Sequence, residues 1–473
     1  MADKQFPFLK FHRAPPREVP VQIRVLDYRE IYGEFADNDA GDQAARCIDC
    51  GNPYCSWGCP LHNRIPQWLK LVRDGRIEDA AALMHETNPL PEICGRICPQ
   101  DRLCEGDCTL ETGFEAVTIG AIERWATDEA LRRGWRPPVS AEKTGKRVAI
   151  VGAGPAGLSA ADRLARAGVH ADVFDRYPEI GGLLTYGIPP FKLDKSIVRT
   201  RRGVLEEMGV RFTLDTEIGR DVAFSTLLQD YDAVFVGTGA YTAVDATLPG
   251  QQSAGVFPAL PFLIANAKRI LGDPGANVPN VIGKRVVVLG GGDTAMDCVR
   301  TAVRMDAEHV ISAYRRDEEN MPGSRREVKN ARDEGVEFLF NLQPVSILCD
   351  ENGVTGVRVV QTRLVATGGG RARPEIVAGS EEDIAADAVI TSFGFLASPP
   401  IWCDEFGIER DTAGKIIVGG AGRLPLQTSN PKVFAGGDAI RGADLVVRAV
   451  YDGREAAKSI LQMIGIAGFV SAA

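Results

Sequence analysis

Residues Lys146–Ala161 read KRVAIVGAGPAGLSAA, and this stretch decides the fold. Arg147–Val151 is apolar and β-branched, as a buried strand requires, and it runs straight into Gly152, Gly154 and Gly157. Gly152 permits a tight turn, Gly154 lets the backbone approach a pyrophosphate, and Gly157 lets helix and strand pack closely. Pro155 and Ala156 open the helix that follows, whose free N–H groups and positive dipole end suit phosphate. The next strand, ADVFD, ends in Asp175, a carboxylate placed to accept hydrogen bonds from a ribose 2′-hydroxyl. A glycine turn alone is common in proteins. This one has its strand, helix and acid, and predicts a dinucleotide site.

A second opening of the same form lies at Lys284–Cys298, KRVVVLGGGDTAMDC. Two such openings in one chain predict two dinucleotide-binding units. The second turn comprises Gly290, Gly291, Gly292, Asp293, Thr294 and Ala295, with alanine in place of the third glycine. Its next strand, Val310–Tyr314, ends in Arg315 and Arg316 where the first site has an acid. An acid there would repel a 2′-phosphate, whereas guanidinium groups bind one in bidentate fashion. Arg325 and Arg326 add positive charge, so the second site is read as NADPH-binding, with Arg315, Arg316 and Arg326 setting the preference. The plainer alternative for these arginines is a solvated surface.

Ala233–Val236, Ala388–Ser392 and Val433–Ala435 read as further strands of parallel sheets. The last delivers Gly436, Gly437 and Asp438 to a helical stretch, Ala439–Ala457. Such an aspartate can bond a ribityl chain, and the helix dipole favours negative charge on a reduced flavin. This ending resembles the two-dinucleotide-binding flavoprotein family. In that resemblance Gly181, Gly182, Leu183, Thr238 and Gly239 match other turns of the flavin domain, and the first site is read as FAD-binding.

Upstream, eight of the 11 cysteines lie between Cys47 and Cys108. Cys47, Cys50, Cys55 and Cys59 form one group, and Cys94, Cys98, Cys104 and Cys108 the other. No N-terminal run joins a basic flank to an apolar stretch, which predicts a cytoplasmic chain and argues against a disulfide framework. Eight thiolates can hold two zinc ions. The spacing C-x-x-C-x-x-x-x-C-x-x-x-C-P more closely resembles cluster ligands, and a flavin that releases electrons singly calls for single-electron acceptors. Two [4Fe-4S] clusters are therefore expected. A crossed arrangement is open, with Cys47, Cys50, Cys55 and Cys108 on one cluster. Cys59, Cys98 and Cys104 then hold the other, with Cys94 or a non-cysteine ligand as fourth. Cys298, Cys349 and Cys403 read as small buried apolar residues.

The net charge of -9 argues against nucleic acid as a partner. The apolar tail, Ile460–Ala473, is too short to span a bilayer. The five histidines form no evident ligand set. No general acid or base is assigned, because hydride transfer needs stacking and exclusion of water. The expected class is α/β, with two nested Rossmann-like units behind a mainly helical iron–sulfur domain. The expected organisation is a proline-broken arm over residues 1–30 and a cluster domain over 31–145. An FAD-binding unit over 146–280 and 394–473 then encloses an NADPH-binding unit over 281–393. Helices are expected at Ile65–Met84 and Ile119–Arg132.

The whole chain resembles the small (β) subunits of bacterial NADPH-dependent glutamate synthases. The resemblance is carried by RVLDYREIY (Arg24–Tyr32), both cysteine groups, both glycine turns, GGLLTYGIPPFKLDK (Gly181–Lys195) and ENMPGSRREV (Glu319–Val328). It implies an electron-input subunit that oxidises NADPH. The partner it implies is a large FMN-containing subunit that makes glutamate from glutamine and 2-oxoglutarate. Similar modules in dihydropyrimidine dehydrogenase and a ferredoxin-linked transhydrogenase take a Gln or Glu as one cluster ligand. The corresponding residue in AIERWA is Glu123, which competes with Cys94 and otherwise reads as an exposed helical carboxylate. The alternatives are a subunit of a related oxidoreductase, of transhydrogenase or sulfide dehydrogenase type, or a zinc-stabilised dinucleotide-binding scaffold.

Overall fold

Two five-stranded parallel sheets carry the two glycine turns in the computed structural model, which describes residues 6–366 and 372–466. The first sheet is ordered Val433–Ala435, Ala233–Val236, Arg147–Val151, His170–Phe174, Arg211–Thr213. The second is ordered Val256–Pro258, Ala388–Thr391, Arg285–Leu289, His309–Tyr314, Glu337–Phe340. Every neighbouring pair is parallel. In each sheet the middle strand ends in the glycine turn, so each turn emerges where the strand order reverses, the usual ligand crevice of such sheets.

The second sheet takes its edge strand from Val256–Pro258, ahead of the expected boundary at residue 281. Helix Ala259–Ile270 then packs on helix Asp293–Arg304. That boundary is corrected toward the N-terminus. The strand is two half-exposed residues and an exposed proline, and it is too short an apolar run to read. Thr242–Ala243 pairs antiparallel with Phe395–Leu396 where the chain leaves the first sheet and returns. An antiparallel hairpin, Leu342–Asp350 with Gly353–Val365, lies within the second unit and has no counterpart in the expected organisation.

Helix Val446–Met463 packs along helix Pro155–Arg166. The sequence places its start at Ala439, directly after Asp438. Instead Asp438–Arg441 forms a four-residue turn of its own, ended by Gly442 at φ 81°.

Ahead of the sheets, the expected Ile65–Met84 helix is two helices, Ile65–Arg73 and Ile77–Thr87, broken at Gly75 with φ 74°. Ile119–Arg132 is a single helix. Trp68, Met84 and Ile122 lie at the centre of this domain's own core. Leu90, Ile93, Cys94 and Cys98 belong instead to the core shared with the first sheet. A buried ion pair fixes that junction: the Arg201 guanidinium grips Glu92 at 2.8 and 2.7 Å. The N-terminal arm straps the second unit, with Arg304 Nε donating to the Asp27 carbonyl at 3.1 Å and Asn330 Nδ2 to the Tyr32 hydroxyl at 2.9 Å. No helix among the described residues is long and apolar enough to cross a membrane.

Candidate functional site

One cavity of about 410 Å³ collects most of the first glycine site. Gly152, Gly154, Pro155, Ala156, Asp175, Gly182, Leu183, Thr238, Gly239, Gly437 and Asp438 line it. A Cβ on Gly157 would run into the Gly152 carbonyl oxygen, so that glycine serves packing rather than ligand contact. Gly154 is the opposite case: a side chain there meets nothing within 4 Å, leaving its backbone open to a phosphate. Gly181 lies behind the wall and braces the turn, donating to the Ala153 carbonyl at 2.8 Å.

Asp175 accepts from the Ala153 amide at 2.7 Å and the Tyr177 amide at 2.9 Å. Its carboxylate therefore fixes the glycine turn as well as facing the cavity. Burial pushes the Asp438 carboxyl up to about 7. The buried Thr238 hydroxyl has no protein partner. A polar ligand with a pyrophosphate and hydroxyl groups fits these unsatisfied groups and the open glycine backbone. Asp452 was not foreseen: it accepts from the Gly437 amide at 3.0 Å and holds Arg441 at 2.7 Å, fixing the turn that presents Asp438. Nothing in local sequence marks a helix-interior aspartate for that task.

Asp293 and Thr294 of the second turn line the same cavity, so the two glycine sites face one space. Ala295 is fully buried behind it. A Cβ on Gly291 would strike the Tyr314 ring, and one on Gly292 meets open space. At the end of the neighbouring strand Arg315 is exposed and the buried Nε of Arg316 lacks a partner; neither side chain lines the large cavity. Arg326 lines the large cavity and also spans the domain junction. Its guanidinium donates to Gln100 Oε1 at 3.0 Å and to the Arg96 carbonyl at 3.1 Å, tying the second unit to the cysteine domain.

The eight cysteines fall into two rings drawn from both sequence groups. Cys47, Cys50, Cys55 and Cys108 surround one small cavity, and Cys59, Cys94, Cys98 and Cys104 surround another. All are free thiols. Among the described residues no three His, Cys, Asp or Glu side chains converge tightly enough for a single ion. Rings around a void suit a polynuclear cluster better than zinc, whose four sulfurs would close on one atom at about 2.3 Å. Burial pushes Cys47 up to about 11 and Cys59 up to about 12, so these thiols become thiolates only with a cation to stabilise them.

Glu123 also borders the second ring, but it is buried (8% exposed), not the exposed carboxylate of the plainer expectation. Its Oε1 accepts from Asn63 Nδ2 at 3.0 Å and Asn88 Nδ2 at 3.1 Å. Cys94 completes a ring of four sulfurs, while two amides hold Glu123 beside them. Cys298 and Cys403 are buried as expected; Cys349 is exposed, contrary to expectation, because it lies at the exposed end of its strand, past a register shift at Leu348.

The two cavities share a wall. Cys98 lines both the second cysteine ring and the large cavity, flanked there by Ile97 and Pro99. The first turn of helix Val446–Met463 does the same, Val446 facing the large cavity and Val447 the ring.

Comparison with known proteins agrees with this division. Residues 24–135 match the family described as dihydropyrimidine dehydrogenase domain II, 4Fe-4S cluster. Residues 146–453 match the pyridine nucleotide-disulphide oxidoreductase family. The chain is 55% identical to the glutamate synthase (NADPH) small chain of Escherichia coli K12, over 98% of this chain and 100% of that one. It is 53% identical to the putative oxidoreductase AegA of the same organism, over 96% of this chain and 70% of AegA. Among solved structures, Mycobacterium tuberculosis FprA in complex with NADPH is 20% identical, with a TM-score of 0.55 over 68% of this chain and 84% of FprA, a likeness of fold.

Proposed function

The chain belongs to the family of bacterial NADPH-dependent glutamate synthase small chains, and from that premise we propose a route for electrons through it. It is the electron-input subunit, taking reducing equivalents from NADPH and passing them on. FAD accepts a hydride as an electron pair and gives the electrons up singly, as clusters require. The Gly152–Gly157 turn, Asp175, Thr238 and Asp438 hold FAD, and Gly292–Ala295 with Arg315 and Arg316 hold NADPH. Cys59, Cys94, Cys98 and Cys104 bind a proximal [4Fe-4S] cluster, and Cys47, Cys50, Cys55 and Cys108 a distal one. Glu123 serves as a buried neighbour of the proximal cluster rather than its ligand.

The observation that carries the order is the shared wall at Cys98. One cluster thiol borders the flavin cavity, and none of Cys47, Cys50, Cys55 or Cys108 does. The recipient is a large FMN-containing subunit that converts glutamine and 2-oxoglutarate into glutamate, and the complex works in the cytoplasm. A second reading rests on AegA, a longer protein of which this chain matches 70%: the same module feeding another oxidoreductase.

Anaerobic NADPH added to the holoprotein is expected to bleach the flavin and then the cluster absorbance, with about eight iron atoms per chain. Cys94→Ser should fall to about four, while Glu123→Gln keeps all eight. An unreduced flavin would overturn the electron-input reading; a Glu123→Gln protein short of iron would return the ligand role to Glu123. Co-purification with an amidotransferase subunit, and glutamine-dependent NADPH oxidation by the complex, separates the two partners.

A further inference from the structure

Two buried carboxylates and a half-buried lysine stand in the wall of the large cavity at the seam between the two units, and the route above leaves them unused. Lys192 comes from the loop after Ile188, Asp297 from helix Asp293–Arg304 and Glu327 from helix Arg325–Asp333. Lys192 Nζ lies 2.8 Å from Asp297 Oδ1 and 3.7 Å from Glu327 Oε2. Glu327 is also gripped by Arg300 at 2.5 Å, and Arg300 in turn holds Glu334 at 2.8 and 3.0 Å. Glu327 is thus committed between two cations. Asp297 has Lys192 as its close cationic partner. Lys195 lies beyond it at the start of helix Lys195–Glu207, Arg300 follows on the helix of Asp297, and the carboxylates of Asp293 and Glu327 oppose its charge.

Exporting electrons through clusters leaves a charge to balance. Oxidation of NADPH to NADP⁺ releases two electrons and one proton, and clusters carry the electrons alone. A nicotinamide closed over the cavity excludes the water that would otherwise take the proton. We propose that Asp297, steadied by Lys192, receives the proton that each NADPH leaves in the cavity. The dihydronicotinamide C–H bond would break as a hydride taken up by the flavin; once both electrons had left by way of the cysteine rings, the hydrogen nucleus would end in an O–H bond on Asp297. The carboxyl returns it to water when NADP⁺ departs. This assignment rests on the electron route above.

The electrostatics suit the task. Burial and the neighbouring carboxylates outweigh Lys192 and push Asp297 up to about 6, whereas Lys192 and Arg300 hold Glu327 down to about 2. Lys192 itself is shifted upward by the carboxylates around it and stays charged. Of the two acids, Asp297 is the one that exchanges a proton near neutral pH. Asp438 is also raised, but it belongs to the flavin cradle.

Rapid mixing of holoprotein with NADPH resolves flavin bleaching from cluster bleaching. Asp297→Asn should leave the first phase within about twofold and slow the second by roughly tenfold or more. In the native protein the second phase should weaken as pH falls through about 6, where the acceptor becomes protonated, and show a solvent deuterium effect. Asp297→Asn should lose both behaviours and Asp297→Glu should restore them. The reduced-minus-oxidised infrared difference spectrum should contain a protonated-carboxyl band that the asparagine variant lacks. A native second phase with native pH dependence in Asp297→Asn overturns the assignment. Equal slowing of both phases overturns it too, because Asp297 would then only position the nucleotide. If NADPH fails to bleach the native flavin, the electron-input reading fails instead.

Discussion

The proposed preference of the second site for NADPH is assigned to two arginines where the first site has an acid. The buried Nε of Arg316 is left without a partner, and Arg315 stands exposed beside it. Each charge-assisted bond to a phosphate contributes about 2 kcal/mol. Replacing both by glutamate should therefore raise the KM for NADPH by at least about thirtyfold, leave kcat nearly unchanged, and narrow the gap to NADH. Steady-state dye reduction with the two nucleotides measures this, and an unchanged preference would remove the role from the pair. Arg326 shows why such readings need the structure. It lines the large cavity beside the second glycine turn, and its hydrogen bonds also go to Gln100 and Arg96 across the domain junction. The same holds for Glu123, whose setting depends on Asn63 and Asn88, neither of which belongs to a motif.

Helix Val446–Met463 joins the flavin cavity to the proximal cysteine ring, so its seat on helix Pro155–Arg166 governs both. Gly453 makes that seat possible: a Cβ there would drive into the Ala156 carbonyl oxygen. Nearby, the Ser159 hydroxyl donates to the Val450 carbonyl at 2.6 Å. Gly453→Ala should cost roughly 1–3 kcal/mol and loosen FAD, seen as a lower melting temperature and faster release of fluorescent flavin. At this scale much was legible in the sequence. Arg147–Val151, Ala233–Val236 and Val433–Ala435 are strands as read, since strands buried on both faces must be continuous apolar runs. Val256–Pro258 was not, being short and at an edge. Nor was the break at Gly75, because the apolar spacing runs on across the glycine.

Across the whole molecule the proposed path is directional, from a cavity at the seam of two units to a cysteine ring near the surface. Around the distal ring Ile48, Tyr54 and Trp57 are 41%, 48% and 58% exposed, and Tyr54 and Trp57 meet edge-on at 5.3 Å. Ile48 also lines the distal ring itself. Apolar and aromatic residues bordering an electron exit suit a partner that must come close. Trp57→Ala should leave NADPH-to-dye reduction unchanged and weaken binding of the large subunit by about 2 kcal/mol, roughly thirtyfold in Kd. Binding measured by interferometry checks this, and native affinity would place the contact elsewhere. The crossings at Thr242–Ala243 and Phe395–Leu396 carry a further consequence, for the order in which the protein is made. The outer strand of the first sheet, Val433–Ala435, and the helix behind it are synthesised after the entire nucleotide unit. On the ribosome the guest unit is complete while its host still lacks an edge, so the flavin cradle should be finished last and FAD uptake should await a nearly complete chain.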